Sequence, residues 1–146
     1  MIVLNAQQLQ RLAESLLRLE RLLEAQGGDP PEIREGLEEA AHRMAVHLEV
    51  VRLADPDTLL GMHGPGSGGD PAKLWAMAEL LFLDGLVCRA EGNHHEALAR
   101  IETALALFPE VDPGLDLPES APAPAERIRQ GRDLVAADRA GDGAPG

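Results

Sequence analysis

Glu39 and His42 stand three residues apart in Glu-Ala-Ala-His, a spacing that puts a carboxylate and an imidazole on one helix face, as carboxylate-bridged di-iron bundles require. Such a site needs a second copy of the pair and two further inward glutamates. The other match, Glu91 to His94, crosses a turn, so metal chemistry would rest on Glu38, Glu39, His42 and acids from neighbouring helices, and His42 reads better as a surface histidine. His94 and His95 are adjacent, point to different sides of a helix and do not readily chelate one ion. His47 falls beside an apolar stripe and reads as a hydrogen-bonded packing residue, while His63 falls in a glycine-rich loop.

Nucleophiles are no better placed. Cys88 lies on an apolar helix face between Val87 and Arg89, where a thiol acts as a small hydrophobe. Ser15, Ser67 and Ser120 have no nucleophile-elbow context, there is no tyrosine, and Lys73, the only lysine, reads as exposed in a first helical turn. Gly64-Pro65-Gly66-Ser67-Gly68-Gly69 satisfies the letter of a dinucleotide fingerprint, but that motif needs a preceding strand and a free helix N-terminus. Here helices flank the loop and Asp70 puts its own carboxylate where pyrophosphate would sit. The expectation is a non-catalytic chain with no cofactor and no metal.

The elements that position these residues are helices. Leu74, Ala78, Leu81, Gly85 and Cys88 recur at spacings of three and four, the period of one helix face. Asp70 can cap that helix, Pro71 fits its first position, and Gly92 ends it. Asn93 with Glu96 forms a capping-box pattern for a second helix, whose stripe is Ala97, Leu98, Ile101, Ala104, Leu105 and Phe108, stopped by Pro109. Gly85 and Ala97 offer no bulk, so the two backbones can approach closely.

With Ala78 as first position, Gly85, Gly92, Ala97, Ala104 and Pro109 fall on the small-residue, turn and terminal-proline positions of a 34-residue tetratricopeptide repeat, which this quarter of the chain resembles. Asp84 and Cys88 depart from it, standing where leucine and tyrosine are usual. The wider pattern, "PDTLL", a glycine loop and "AELLFLDGLVCRAEGNHHEALARIETALAL", resembles a small uncharacterised bacterial family with a tetratricopeptide-like fold. In tetratricopeptide proteins the first helix of a hairpin lines a concave groove, so the resemblance implies partner-binding roles for Glu79, Phe82, Leu86 and Arg89, with Trp75 one turn earlier. The competing reading packs Trp75, Phe82 and Leu86 against the first hairpin or the C-terminal helix.

That first hairpin occupies residues 5–54. Asn5 with Gln8 caps a helix to about Gln26, with Leu9, Leu12, Leu16, Leu19 and Leu23 as a heptad-like seam. Gly27-Gly28 ends it, and Asp29-Pro30-Pro31 opens a second helix whose stripe is Ile33, Leu37, Ala40, Met44, Leu48 and Val51. The leucine seam reads as internal core, with Leu17 and Leu22 widening it enough to keep homodimer formation in view. Residues 55–69 form a short turn and a loop, and 70–111 the tetratricopeptide-like hairpin. Residues 112–146 are rich in Pro, Ala and Gly, with a helix expected over 125–140 that caps the hairpin and a disordered last six residues.

The composition fits. The chain has 146 residues, 45% hydrophobic and only 2% aromatic, so its core must be Leu, Ala and Val, which favours an all-α fold. A net charge of −12 argues against nucleic acid or an anionic membrane as partner. One cysteine allows no internal disulfide, no apolar run approaches a membrane span, and the N-terminus lacks a signal pattern, so the expected setting is cytoplasmic. The sequence thus predicts tetratricopeptide-like antiparallel hairpins with a C-terminal helix, acting as a non-catalytic interaction module that binds a protein partner or itself. The alternative is a metal-dependent bundle using Glu39 and His42.

Overall fold

A computed structural model describes residues 4–25 and 28–142 and is all-helical. In chain order the helices are α1 (Ala6–Glu24), α2 (Pro30–Arg43), α3 (Leu48–Leu53), α4 (Pro56–His63), α5 (Pro71–Ala90), α6 (His94–Leu107) and α7 (Pro124–Asp142), with a 3-10 turn at Phe108–Glu110 after α6. None of them is long and apolar enough to cross a membrane. Gln26, Gly27 and the last four residues, on which parts of the expected turn and tail fall, lie outside the described residues.

Local rules set most of the helix ends. Asn5 and Gln8 form a reciprocal capping box on α1, with the Gln8 N–H donating to Asn5 Oδ1 at 2.8 Å and the Asn5 N–H to Gln8 Oε1 at 2.9 Å. Asp55 caps α4 by accepting from the Thr58 N–H, and Asn93 caps α6 by accepting from the Glu96 N–H, without the reciprocal bond of a full capping box. Asp29 contributes no side-chain cap to α2. Gly92 takes the left-handed conformation, φ 81°, that closes α5.

The helix expected through residue 54 is broken. Ala45 adopts φ 57°, its N–H donates to the His42 carbonyl and that of Val46 to the Ala41 carbonyl, the paired bonds of a Schellman terminator built without glycine. The apolar stripe nevertheless survives, since Ile33, Leu37, Ala40, Met44, Leu48 and Val51 are all buried. The break turns α3 back across α5 while keeping its apolar residues inward. His47, expected among packing residues, is exposed at the start of α3 and caps nothing.

α5 is the axis of the bundle, touching α1, α2, α3, α4 and α6. Every residue from Ala72 to Gly85 is buried, so the stripe expected on one face extends round the whole helix. Lys73, expected in solvent, is buried too. The α5–α6 crossing is close: a Cβ on Gly85 would stand 2.7 Å from Ile101 Cγ1 and 3.2 Å from the Ala97 carbonyl oxygen. α7 packs on α6 in the same way, with Gly131 against Leu105. Ahead of α7, Leu115, Leu117 and Ala121 pack on the core.

Two substitutions of opposite sign test this account. Ala45→Gly removes left-handed strain at an exposed site and should raise the unfolding free energy by about 0.5–1 kcal/mol. Gly85→Ala puts a methyl into the α5–α6 contact and should lower it by about 1–3 kcal/mol. Urea melts with an unchanged slope measure both.

Candidate binding surface

The residues singled out for a groove on α5 are largely inside. Trp75, Glu79 and Phe82 are each 1% exposed, Leu86 is half-buried, and Arg89 turns to Asp138 of α7 at 3.3 Å. Phe82 meets Phe108 edge-on with ring centroids 6.3 Å apart. α1 and α7 cover the side that an open repeat would leave free, so Trp75, Glu79 and Phe82 are packing and not a surface. The leucine seam is likewise internal: Leu9, Leu12 and Leu16 are buried, and Leu19 and Leu23 pack at the core's edge.

Two ion triads account for the two carboxylates on α5. Arg127 of α7 is buried, donating from Nε to Glu79 at 2.8 Å and from both terminal nitrogens to Glu20 of α1 at 2.8 and 3.0 Å. Its guanidinium carbon lies 4.6 Å from the Phe82 ring centroid. One cation thus serves two carboxylates, and burial pushes the Glu79 carboxyl up to about 7 despite Arg127 beside it. The second triad has the inverse stoichiometry. Asp84 accepts a fork from Arg52 of α3 at 2.8 and 3.1 Å and a further bond from Arg100 of α6 at 3.3 Å. Asp84, the departure from the repeat pattern, is what ties α3 and α6 to the central helix.

The other candidate groups are engaged or isolated. Cys88 is buried, with Arg34 Nη2 3.8 Å from Sγ, and burial raises its thiol above the usual value, the reverse of activation. Arg34 also pairs with Glu91. Glu39 is paired with Arg43 at 2.6 Å and His42 is exposed. Among the described residues no three His, Cys, Asp or Glu side chains come together as metal ligands.

Hydrogen bonds tie the glycine loop to the start of α5. The Asp70 N–H donates to His63 Nδ1 at 3.0 Å, and the Asp70 carboxylate accepts from the N–H groups of Leu4 and Ala72. Burial lowers the His63 pKa, followed by repulsion from Lys73. The loop's N–H groups at Ser67 and Gly69 are also spent, on the Gly64 carbonyl and the Ser67 hydroxyl. The adjoining hollow, about 370 Å³, is lined by Glu110 and Asp112, the wrong sign for a phosphate.

An open concave surface lies instead along the seam between α1 and α2. A cleft of about 280 Å³ has Leu12, Ala40 and Met44 as floor and Gln8, Arg11, Ser15 and Arg43 as walls. A smaller hollow of about 100 Å³ continues it, sharing Ser15, Ala40 and Arg43 and adding Arg18, Leu19, Gly36 and Glu39. Leu19 presses on Gly36, where a Cβ would stand 2.6 Å from Leu19 Cδ2, so the helices come close and leave a shallow trough above. The spacing rules placed Leu12, Ala40 and Met44 in buried stripes, and only the meeting of the two helices leaves a trough above them.

The buried triad makes a pH-dependent prediction. Glu79 has its folded pKa near 7, above the ordinary carboxylate value of 4.5, so the folded state binds the extra proton between them. Stability from this group is therefore fully present below about 4.5 and is lost as pH rises through about 7. Urea melts from pH 5 to 8 should show that decline in the wild type and a flatter profile in Glu79→Gln. At pH 8, Arg127→Met strands a buried carboxylate and should cost about 3–5 kcal/mol. Adding Glu79→Leu to it should recover part of the loss.

Comparison with family models, with curated proteins and with solved structures finds no match to this chain.

Proposed function

We propose that this chain is a non-catalytic protein-interaction module of the tetratricopeptide-like helical-hairpin kind, with its binding surface on the α1/α2 seam. The observation that carries the reading is the contrast between the two sides of the molecule. On α5 the two carboxylates are buried in ion triads, whereas the seam offers an open trough with an apolar floor between polar walls. A floor of Leu12, Ala40 and Met44 suits insertion of an apolar side chain, and Gln8, Ser15 and the arginines supply polar contacts at the rim. At about 280 Å³ the cleft falls just under the roughly 300–1,000 Å³ of small-molecule sites, which favours a side chain or two over a cofactor.

The close α5–α6 crossing at Gly85 and Ala97 supports the tetratricopeptide-like reading. Its groove has moved off the first helix of that hairpin because α1 and α7 are docked on it. The partner is another protein or a second copy of the chain, and a cytoplasmic setting suits the single free, buried thiol.

Panning a phage-displayed random peptide library on the immobilised chain tests the proposal. Peptides should be enriched that bind the wild type but not Ser15→Trp, which fills the cleft, with the variant's melting temperature confirming its fold. Enrichment no greater than on a blank support, or peptides indifferent to Ser15→Trp, would defeat it. Light scattering at several concentrations separates self-association from binding of an outside partner.

A further inference from the structure

We infer that the α1/α2 seam takes an acidic amphipathic helix from a partner protein, an inference that rests on the seam's being the binding surface. The argument is the placement of uncompensated positive charge. Arg34, Arg43, Arg52, Arg89, Arg100, Arg127, Arg129 and Arg139 each pair with a carboxylate of this chain. Among the described residues, no ion pair engages Arg11, Arg18, Arg21 or Arg132. Three of those four are on α1. In a chain carrying net −12, α1 balances its three arginines with three glutamates, and the lining of the trough itself holds Arg11, Arg18 and Arg43 against one carboxylate, Glu39.

Their positions coincide with the trough. Arg11 and Arg18 are seven apart, on one face of α1, with Ser15 between them, and each lines one of the two connected hollows. Arg21 and Leu22, the latter 45% exposed, continue this outer side beyond the trough. Of the nearby acids, Glu14 accepts from Gln10 and lies outside the lining of both hollows, and Glu39 is held by Arg43 at the opposite wall. The seam therefore presents an apolar floor with the unpaired Arg11 and Arg18 on the α1 wall and the Arg43–Glu39 pair on the α2 wall, which calls for apolar residues on one side of the ligand and carboxylates along the flank that meets α1. From Gln8 to Leu19 the trough follows α1 for about 17 Å, the length of a helix of about 11 residues.

Extended polyanions fit less well. A nucleic acid or an anionic membrane would meet the whole field of net −12, whereas a short acidic helix meets chiefly what lies within a Debye length, about 8 Å, of its groove.

The probe is a fluorescein-labelled helical peptide with leucines four apart flanked by glutamates, titrated against the full chain by anisotropy. Its lysine-for-glutamate counterpart and phosphatidylserine vesicles are the controls. The acidic peptide should bind, weaken with added KCl, and lose affinity about tenfold or more in the double variant Arg11→Glu/Arg18→Glu, both exposed sites. Amide shifts on binding should map to Leu12, Ser15 and Met44 in the wild type, a readout independent of any variant's fold. Equal binding of the lysine peptide, an unchanged affinity in the double variant, shifts mapping elsewhere, or vesicle binding without peptide binding would each overturn the inference. If panning enriches neutral peptides lost in Ser15→Trp, the binding surface stands and only the acidic partner fails.

Discussion

A helix buried on every side has no solvent face on which to leave its polar residues, and α5 is such a helix. It carries Glu79 and Asp84 into the interior, and a buried carboxylate without a counter-charge costs several kcal/mol. The rest of the bundle is arranged to meet that demand. α3 turns back after Ala45 and brings Arg52 to Asp84, α6 adds Arg100, and α7 returns from a distant part of the chain to place Arg127 between Glu79 and Glu20. Each helix around the axis also supplies apolar contact, but the ion pairs fix registers that Leu and Ala packing alone would leave open to sliding, a use of buried charge best attested in coiled coils.

How much of this is legible in the sequence follows from whether the cause is local. The capping box at Asn5 and Gln8, the Asp70-Pro71 start of α5, the Gly92 stop and the Gly85/Ala97 contact are all set by residues near one another in the chain, and each spacing identifies its element. The α2 stripe was readable too, since Ile33 through Val51 are buried in the expected register. The break inside it was not, because alanine carries no signal for a left-handed conformation that a tertiary turn imposes on it. Full burial of α5 had a signal that was underread: Leu80-Leu81-Phe82-Leu83 is a continuous apolar run, and a helix apolar all round belongs in the middle of a fold.

The misplaced groove has the same origin. Trp75, Phe82 and Glu79 line a free surface only if the hairpin stands open, and whether it is open depends on α1 and α7, whose docking no α5 spacing reveals. Arg127 was invisible for this reason. Within α7 it is one of several arginines, and only the meeting of α1, α5 and α7 separates it from Arg129, which pairs with Glu126 at the surface. The α1/α2 seam was hidden in a complementary way, because a trough is a property of two helices and neither sequence segment contains it.

α7 shows what attachment by charge implies. Its buried residues are Arg127 and Gly131, with Ile128 and Leu134 only partly covered, so apolar burial alone holds it less firmly than α5 or α6 is held. Its anchors are ionic: Arg127 to Glu20 and Glu79, Asp138 to Arg89, and Arg139 to Glu102. Only the first is deeply buried, and there two carboxylates share one guanidinium, so a proton on Glu79 removes the surplus negative charge without breaking the fork to Glu20. The exposed Arg139–Glu102 pair, screened by salt, adds little, and Arg89 reaches a largely buried Asp138 from a partly exposed position. Arg127, over the Phe82 ring, is therefore the deepest of the anchors of α7. Because Phe82 lies in the main core, detachment of α7 would expose that ring and the side of α5 that an open hairpin would present.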